Sequence, residues 1–359
     1  MINVTQTHLP DRDKFKAYVD QIFDSGWLTN NGQFVKELQS KLAHFLGVKN
    51  LLLVNNGTIA LQVAYKLLGL KGDVLTTPFS FVATTSSLVW EGINPIFVDI
   101  NEQTFNLDPR LIEQNITSST TGIVATHVYG NACEVEQIEN IARKHNLKVV
   151  YDAAHAFGVN YKGKSLLSFG DISTISFHST KLFHTIEGGA LIIKDDELFD
   201  KAKRMINFGI ASQTYQSGVG INAKMNEFSA AMGLCMLDEL EEIHEGRETV
   251  YNRYMDAFRS APRISFQKHN PDCNRNYAYF PVLLENEEVL LRVVKELNER
   301  GIAPRRYFYP SLNHLDYIPD QSGVDIAENI ARRILCLPMF DSLDEDTQRK
   351  IIDVVVTYT

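Results

Sequence analysis

The sequence predicts an α/β fold in which a mostly parallel sheet is covered by helices on both faces. Over the first two thirds of the 359 residues, short apolar segments alternate with segments of helical periodicity. The apolar segments do not alternate apolar with polar residues, which is typical of strands buried on both faces. Capping and turn residues separate them, as in repeated β-α units.

Each element of this first part follows from a local pattern. The first strand is the apolar run at 51–54, and apolar residues at helical spacing predict a helix over 58–68. A further helix is predicted at 135–145, and Asp108-Pro109 has the cap and first-turn proline of a helix start. The other predicted strands are residues 74–77, 95–99, 122–127, 147–151, 171–177 and 190–193.

The pattern changes after about residue 225. Residues 225–258 are largely helical, with a possible interruption at Gly246. The remaining predicted elements are a strand at 277–284 and helices at 287–300, 325–335 and 344–355. We therefore expect two domains, a large cofactor-binding domain over residues 1–245 and a smaller C-terminal α+β domain over residues 246–359.

Composition argues against several function classes. A net charge of −9 is unfavourable for binding a nucleic-acid backbone. The sequence contains no run of 18 apolar residues, so we expect no membrane span. Because the start of the chain lacks the basic and apolar blocks of a signal peptide, we expect a cytoplasmic protein. The widely spaced cysteines form no zinc pattern, so we expect free thiols and no metal; they are Cys133, Cys235, Cys273 and Cys336.

Lys181 lies in the most informative segment of the chain. Residues 176–189 place this lysine among small, polar and aromatic residues and end in Glu187-Gly188-Gly189. The ordinary pKa of lysine is about 10.4, so a solvated lysine is a poor nucleophile at neutral pH. Partial burial lowers that pKa and makes a Schiff base with an aldehyde cofactor feasible. Lys181 is therefore a candidate covalent anchor, with a solvated loop lysine as the alternative.

Two further positions could complete such a site, since each also follows a strand. Asn56-Gly57-Thr58 precedes a helix whose N-terminal N–H groups suit one phosphate, although a plain turn is the alternative. Asp152 follows the strand 147–151, where a carboxylate can keep a pyridine nitrogen protonated, although a helix cap is the alternative. Ser176 could join the phosphate contacts. Ligands bind at the carboxyl ends of parallel strands, so we expect these residues to meet.

With these motifs the sequence resembles the DegT/DnrJ/StrS sugar aminotransferases, pyridoxal-phosphate enzymes of the aspartate aminotransferase-like fold type I. The resemblance runs from about Gly26-Trp27 to Leu337-Pro338-Met339, nearly the whole chain. The motifs that carry it are Asn56-Gly57-Thr58, Thr77-Pro78-Phe79-Ser80-Phe81-Val82-Ala83-Thr84, His127-Val128-Tyr129-Gly130, Asp152-Ala153-Ala154, Ser176-Phe177-His178 with Lys181, Glu187-Gly188-Gly189, and Gly220-Ile221-Asn222-Ala223-Lys224-Met225.

The resemblance implies roles for the cofactor-binding residues. Lys181 matches the Schiff-base lysine and Asp152 the acid at the pyridine nitrogen. Phe81 matches the aromatic residue that stacks on the cofactor ring. Asn222 matches an asparagine that reaches the phosphate of the neighbouring subunit's cofactor, which implies a homodimer with shared sites. The phosphate ligands are matched by Gly57, Thr58 and Ser176.

The expected substrate contacts rest on weaker matches. His178 and His184 flank the lysine and would contact sugar hydroxyls or the reacting nitrogen, with packing of the segment as the alternative. Tyr309 matches a position where the small domain meets the sugar nucleotide. The glycine-bounded turn at residues 26–32 could cover the site or form a surface loop; its candidate contacts are Trp27 and Thr29.

His155 departs from the family pattern, since many members carry glutamine three residues after the acid. A histidine could still donate to the cofactor's 3'-oxygen, and its charge state would then bear on the site near neutral pH. A histidine satisfied locally is the alternative. A related branch of the family replaces the lysine with histidine and performs dehydration, so Lys181 favours amino transfer.

The detailed pattern around Asp152 and Lys181 resembles the subgroup that acts on dTDP-4-keto-6-deoxyglucose. It implies transfer of the amino group of L-glutamate to C4, for surface polysaccharides. An alternative enzyme would aminate C3 of a keto sugar nucleotide. An alternative from another class is a cofactor-binding regulator that does no chemistry.

Overall fold

The computed structural model describes residues 1–212, 214–259, 261–319 and 321–359. Its helices are α1 Arg12–Ser25, α2 Gln33–Phe45, α3 Gly57–Leu68, α4 Val82–Trp90, α5 Val135–His145, α6 Asp196–Met205, α7 Glu227–Asp238, α8 Leu240–Phe258, α9 Glu287–Glu299, α10 Asp325–Arg333 and α11 Glu345–Tyr358. Its strands are β1 Ile2–Asn3, β2 Leu51–Val54, β3 Asp73–Thr76, β4 Asn94–Phe97, β5 Thr120–Thr126, β6 Lys148–Asp152, β7 Asn160–Tyr161, β8 Lys164–Ser165, β9 Ile172–Ser176, β10 Gly189–Ile193, β11 Ile210–Ser212, β12 Tyr215–Gln216, β13 Phe280–Leu283, β14 Ile302–Ala303 and β15 Ile334–Leu337.

The large sheet has the strand order β2-β10-β9-β6-β5-β3-β4. The pairs among β9, β6, β5, β3 and β4 are parallel, and only β10 runs antiparallel to its neighbours β2 and β9. Two buried apolar clusters, one on each side of the strands, contain helices α2 and α7 on one face and helices α3 and α6 on the other. The predicted α/β class with a mostly parallel, doubly covered sheet is therefore confirmed.

The C-terminal part has its own buried cluster, which is formed by α8, α9, α11 and the antiparallel pair β13 and β15. Strand β1 pairs in parallel with β14, so the N-terminus also packs against this part. Residue 246 lies within α8, so the proposed division at 245/246 would cut a helix, and the two-domain division stays a prediction. Within the described ranges, no helix is long and apolar enough to cross a membrane.

Two local predictions were wrong. Helix α8 continues through Gly246, and the break lies instead at Glu239, between α7 and α8. Gly246 serves close packing, since a Cβ there would lie 2.9 Å from the carbonyl oxygen of Asp341. The helix start predicted at Asp108-Pro109 produces only a 3₁₀ turn, Pro109–Leu111, capped by the Asp108 carboxylate.

Candidate active site

A cavity of about 280 Å³ lies where several strands of the large sheet end and where the C-terminal part meets them. It brings together most of the residues predicted from the sequence. Those that line it are Gly57, Thr58, Phe81, Asp152, His155, Ser176, His178 and Lys181. The C-terminal part adds Tyr279, Arg305, Tyr307 and Phe308. The carboxyl ends of the strands thus supply one wall and the second half of the chain the other.

The turn between β2 and α3 forms an anion cradle. Asn56 caps α3, and its side chain accepts a hydrogen bond of 2.8 Å from the backbone N–H of Ile59. Gly57 must lack a side chain, because a Cβ there would lie 2.9 Å from Cβ of Ser176. A Cβ at Gly189 would lie 2.7 Å from the carbonyl carbon of Asn56, which explains the second glycine of the Glu187-Gly188-Gly189 motif. The cradle therefore has helix N–H groups and space for one phosphate.

Asp152 ends β6 and is buried, with 6% of its surface exposed. Its Oδ2 accepts a hydrogen bond of 2.7 Å from the hydroxyl of Thr84, and its Oδ1 accepts one of 3.0 Å from the N–H of Ala154. An ionised carboxylate offers about four acceptor positions, so the group can still accept a bond from a protonated ring nitrogen. The two protein donors fix its orientation toward the cavity.

Lys181 follows β9 in a turn closed by a hydrogen bond of 2.9 Å from its N–H to the carbonyl of His178. Its Nζ donates to the hydroxyl of Tyr279 at 3.3 Å. Burial lowers the pKa of Lys181 below the ordinary lysine value. A larger fraction of Lys181 is therefore in the neutral, nucleophilic form near neutral pH than of a solvated lysine.

His155 is buried, and its Nδ1 accepts a hydrogen bond of 3.2 Å from the N–H of Tyr129. This bond assigns the ring proton to Nε2. Burial, with a smaller contribution from the charge of Lys181, holds the pKa of His155 well below its usual 6.5. With its pKa lowered in this way, the ring is neutral near neutral pH, and the role of His155 toward the cofactor stays a prediction. A neutral Nε2–H remains a suitable donor to a cofactor oxygen.

His178 lies at the cavity wall with 44% of its side chain exposed. Its Nδ1 lies 2.8 Å from the hydroxyl of Thr180, and its Nε2 lies 3.6 Å from Oε1 of Glu187. A half-exposed imidazole beside the reactive lysine can contact a substrate hydroxyl.

His184 turns away from the cavity into the protein. It is 1% exposed; its Nε2 donates to the carbonyl oxygen of His8 at 2.8 Å, and its Nδ1 accepts from the N–H of Ile186 at 3.2 Å. Since both ring nitrogens have backbone partners, the predicted sugar contact at His184 is wrong. The packing alternative describes this histidine.

The other expected contacts lie outside this cavity in the described chain. Trp27 and Tyr309 are 55% and 47% exposed, and the guanidinium of Arg306 lies 3.4 Å from the centre of the Tyr309 ring. Thr29 is exposed in the same turn as Trp27. Asn222 is exposed and its Oδ1 accepts a hydrogen bond of 2.8 Å from Nζ of Lys224. Their substrate and cofactor roles stay predictions that need a second subunit or a bound ligand.

Sequence reasoning missed several residues of the site. Thr84 ends the motif at residues 77–84, but nothing in that motif indicates that its hydroxyl bonds to Asp152. Tyr279 and Arg305 carried no signal, since the contact of Tyr279 with Lys181 spans 98 residues. Tyr309 is the residue that the resemblance implies at this point of the chain, whereas its two predecessors, Tyr307 and Phe308, line the cavity.

The residues present fit pyridoxal phosphate. The cradle that a Cβ at Gly57 would fill suits the phosphate. The Asp152 carboxylate, which accepts two hydrogen bonds from the protein, suits the ring nitrogen, and Phe81 offers a half-exposed ring on the wall. Lys181 is a half-buried lysine on the same wall, and desolvation lowers the pKa of its amine. A phosphate cradle, a carboxylate and a nucleophilic amine are the groups that bind this cofactor in enzymes.

Comparisons with known proteins agree with this arrangement. The sequence model of the DegT/DnrJ/EryC1/StrS aminotransferase family matches residues 10–356. A dTDP-4-amino-4,6-dideoxy-D-glucose transaminase of Shigella dysenteriae is 42% identical, with 99% of this chain and 98% of that protein covered. A transaminase of the same name from Escherichia coli is 40% identical, with 99% and 98% covered. The crystal structure of DesI in the presence of its TDP-sugar product is 31% identical and superposes with a TM-score of 0.94, with 99% of this chain and 92% of that one covered.

Proposed function

The chain belongs to the DegT/DnrJ/EryC1/StrS aminotransferase family, and from that premise we propose that it moves the amino group of L-glutamate to C4 of a dTDP-linked 4-keto-6-deoxy sugar. The observation that carries the substrate is the 42% identity, over nearly the whole of both chains, to a transaminase named for the 4-amino sugar product. That name favours C4 over C3. The retained Lys181 and Asp152 in one cavity favour catalysis over a regulatory role.

Enzymes of this family use pyridoxal phosphate, which supplies an electron sink when it is bound. Asp152 would hold the proton on the ring nitrogen, since Thr84 and Ala154 aim its carboxylate into the cavity. The Nε2–H of His155 would donate to the 3'-oxygen. Phe81 would cover one face of the ring. The phosphate would be bound by Gly57, Thr58 and Ser176.

Lys181 has two tasks in this proposal. Its amine would hold the cofactor, since burial lowers its pKa and so favours the neutral, nucleophilic form. In its free state, Nζ would remove the proton from Cα of glutamate in the first half-reaction and would return a proton to C4 of the sugar in the second. Tyr279 and Phe308, which line the same cavity, are buried and would limit the access of water to the lysine.

The test is a borohydride-trapping and product experiment. Wild-type protein with pyridoxal phosphate should turn yellow, and reduction should attach the cofactor to the peptide that contains Lys181. With glutamate and dTDP-4-keto-6-deoxyglucose, NMR should identify the 4-amino sugar. Lys181→Ala should fold, fail to trap the cofactor and lose turnover, whereas Lys194→Ala, at an exposed lysine, should behave as wild type. Normal turnover in Lys181→Ala, or a 3-amino product, would contradict the proposal.

A homodimer with shared sites is the quaternary arrangement that we propose. Asn222 is exposed and pairs with Asn207, and residues next to these two expose large apolar side chains, namely Phe208 and Ile221. An apolar surface of this kind fits an interface between subunits. Light scattering should give twice the chain mass, and Asn222→Ala should weaken cofactor binding without changing that mass. A monomer with full activity would exclude the shared site. A cytoplasmic enzyme that supplies deoxyaminosugars for surface polysaccharides stays our expectation.

A further inference from the structure

Tyr279 is the side chain that Lys181 touches through its amine. Nζ of Lys181 donates to the Tyr279 hydroxyl at 3.3 Å, while Nζ lies 5.9 Å from the centre of the ring. The contact is therefore made by the hydroxyl and not by the ring face. Tyr279 comes from the C-terminal half, directly before β13, whereas Lys181 follows β9 of the large sheet.

The backbone that carries Tyr279 is held from both sides. The Asn276 side chain donates to the carbonyl oxygens of His155 at 2.8 Å and Phe157 at 3.0 Å. On the other side, the guanidinium of buried Arg247 donates to the carbonyl oxygens of Tyr277 and Ala278, both at 3.3 Å. These bonds attach the segment to the end of β6 and to α8, so they fix where the tyrosine hydroxyl lies.

The ring of Tyr279 is packed as well as its backbone. It is 8% exposed and its centre lies 4.5 Å from the centre of the His155 ring. Burial raises the pKa of Tyr279 above the ordinary tyrosine value, so the phenol keeps its proton over the working pH range. A neutral hydroxyl can accept a bond from an ammonium group or donate one to an amine. It can therefore hold a lysine in both of its charge states.

We propose that the Tyr279 hydroxyl holds the amine of Lys181 whenever the lysine is not covalently linked to the cofactor, and that it thereby positions the amine between the two half-reactions. The inference rests on the proposed function, since it gives Lys181 a free state. It assigns to the C-terminal part a direct contact with the reacting nitrogen. The other titratable or charged groups that face Lys181 are Asp152, His155, Arg305 and Tyr307.

The test measures how Lys181 titrates in the full chain without cofactor. The rate at which an amine-reactive reagent modifies Lys181 is followed against pH by peptide mass spectrometry, with exposed Lys194 as the internal reference. Tyr279→Phe removes a single acceptor from the ammonium group of Lys181. Because the hydroxyl stabilises the charged amine, its loss should lower the pKa of Lys181 by about one unit or more.

Tyr307→Phe is the comparison variant. Tyr307 lines the same cavity and raises the pKa of Lys181 electrostatically, but no hydrogen bond joins its hydroxyl to Lys181 in the described ranges. This variant should shift the modification profile by less than Tyr279→Phe does. In the loaded enzyme, Tyr279→Phe should slow the single-turnover glutamate half-reaction by about tenfold or more, as a misplaced base does, with the unfolding midpoint little changed.

An unchanged profile in Tyr279→Phe, or an equal shift in Tyr307→Phe, would overturn the inference. If Tyr279→Phe did not fold, the ¹³C chemical shift of the Tyr279 ring would be compared between wild type and Lys181→Met. A change supports the contact and identical shifts overturn it. If the proposed function fails, the cofactor will not be trapped at Lys181. The titration is independent of that result, because it is done without cofactor.

Discussion

The hydroxyl of Thr84 donates a hydrogen bond of 2.7 Å to Oδ2 of Asp152. Thr84 lies in α4 and Asp152 ends β6, and the two side chains meet in the buried interior. Since Ala154 bonds the other carboxylate oxygen, Thr84 is the side chain that fixes the tilt of the acid. This makes Thr84 a positioning residue for the contact with a ring nitrogen that we propose for Asp152.

We therefore predict that Thr84→Val slows both half-reactions. A charge-assisted hydrogen bond to a buried carboxylate contributes about 1.5–3 kcal/mol, so the rate should fall by about three- to tenfold if half of that acts in the transition state. Stopped-flow absorbance with glutamate alone measures the first half-reaction. The neighbouring Thr85 is the matched control, since its buried hydroxyl has no partner in the described chain. Thr85→Val should keep wild-type rates, and equal losses in both variants would remove Thr84 from this role.

Gly57→Ala should weaken cofactor binding. The added Cβ would lie 2.9 Å from Cβ of Ser176 and would occupy the cradle at the start of α3. Overpacking of this kind costs about 1–3 kcal/mol, which would correspond to a rise of about fivefold or more in the Kd for pyridoxal phosphate. Equilibrium titration of the absorbance measures that Kd.

The double variant Gly57→Ala with Ser176→Gly separates crowding from other effects. Ser176→Gly removes the side chain that the new methyl group meets. Gly57→Ala should therefore cost less affinity for the cofactor in the Ser176→Gly background than in the wild type. If the double variant binds no better than the sum of the single changes predicts, crowding against Ser176 is not the cause.

His8 should make stability depend on pH on the alkaline side of neutrality. Its Nδ1 lies 3.0 Å from Oδ2 of Asp341 and its Nε2 lies 2.8 Å from Oε2 of Glu239. The hydrogen bonds with Asp341 and Glu239 outweigh burial, which acts in the opposite direction, and raise the pKa of His8 to about 9. The folded state thus binds a proton that the unfolded state, with a pKa of about 6.5, has lost.

The stabilisation by His8 is therefore complete below about pH 6.5 and is lost as the pH rises toward 9. The free energy of unfolding should fall by roughly 1 kcal/mol per pH unit in that window. Urea titrations at several pH values measure it, and His8→Gln should flatten the slope. His44→Gln, at an exposed histidine of α2, should keep the wild-type slope, and a slope unchanged in His8→Gln would exclude this histidine as its source.

The order of the site residues along the chain could be predicted because each is tied to a local pattern. The turn at Asn56-Gly57-Thr58, Asp152 and Lys181 each follow an apolar strand, and parallel strands bring their carboxyl ends to one edge. His155 shows where such reasoning ended. The sequence placed it near the cofactor, but its neutral state depends on burial and on the N–H of Tyr129, which no local pattern reveals.

His184 shows the same limit from the other side. It lies three residues from Lys181, and spacing alone cannot tell which of the histidines around the lysine faces the cavity. The turn after β9 directs His178 to the cavity wall and His184 to the carbonyl of His8, far away in the chain. Local sequence sets the turn, whereas the N-terminal segment that receives His184 is brought there by packing.

The sequence by itself determined the α/β class, the family, and the order of phosphate turn, acid and lysine, because strand, turn and cap preferences act over a few residues. Only the tertiary structure decided that Thr84 holds Asp152, that Tyr279 holds Lys181 and that His184 is buried. These contacts join residues far apart in the chain, and they exist because separate elements bury their apolar faces against one another. That burial carries no signature in the local sequence of either partner.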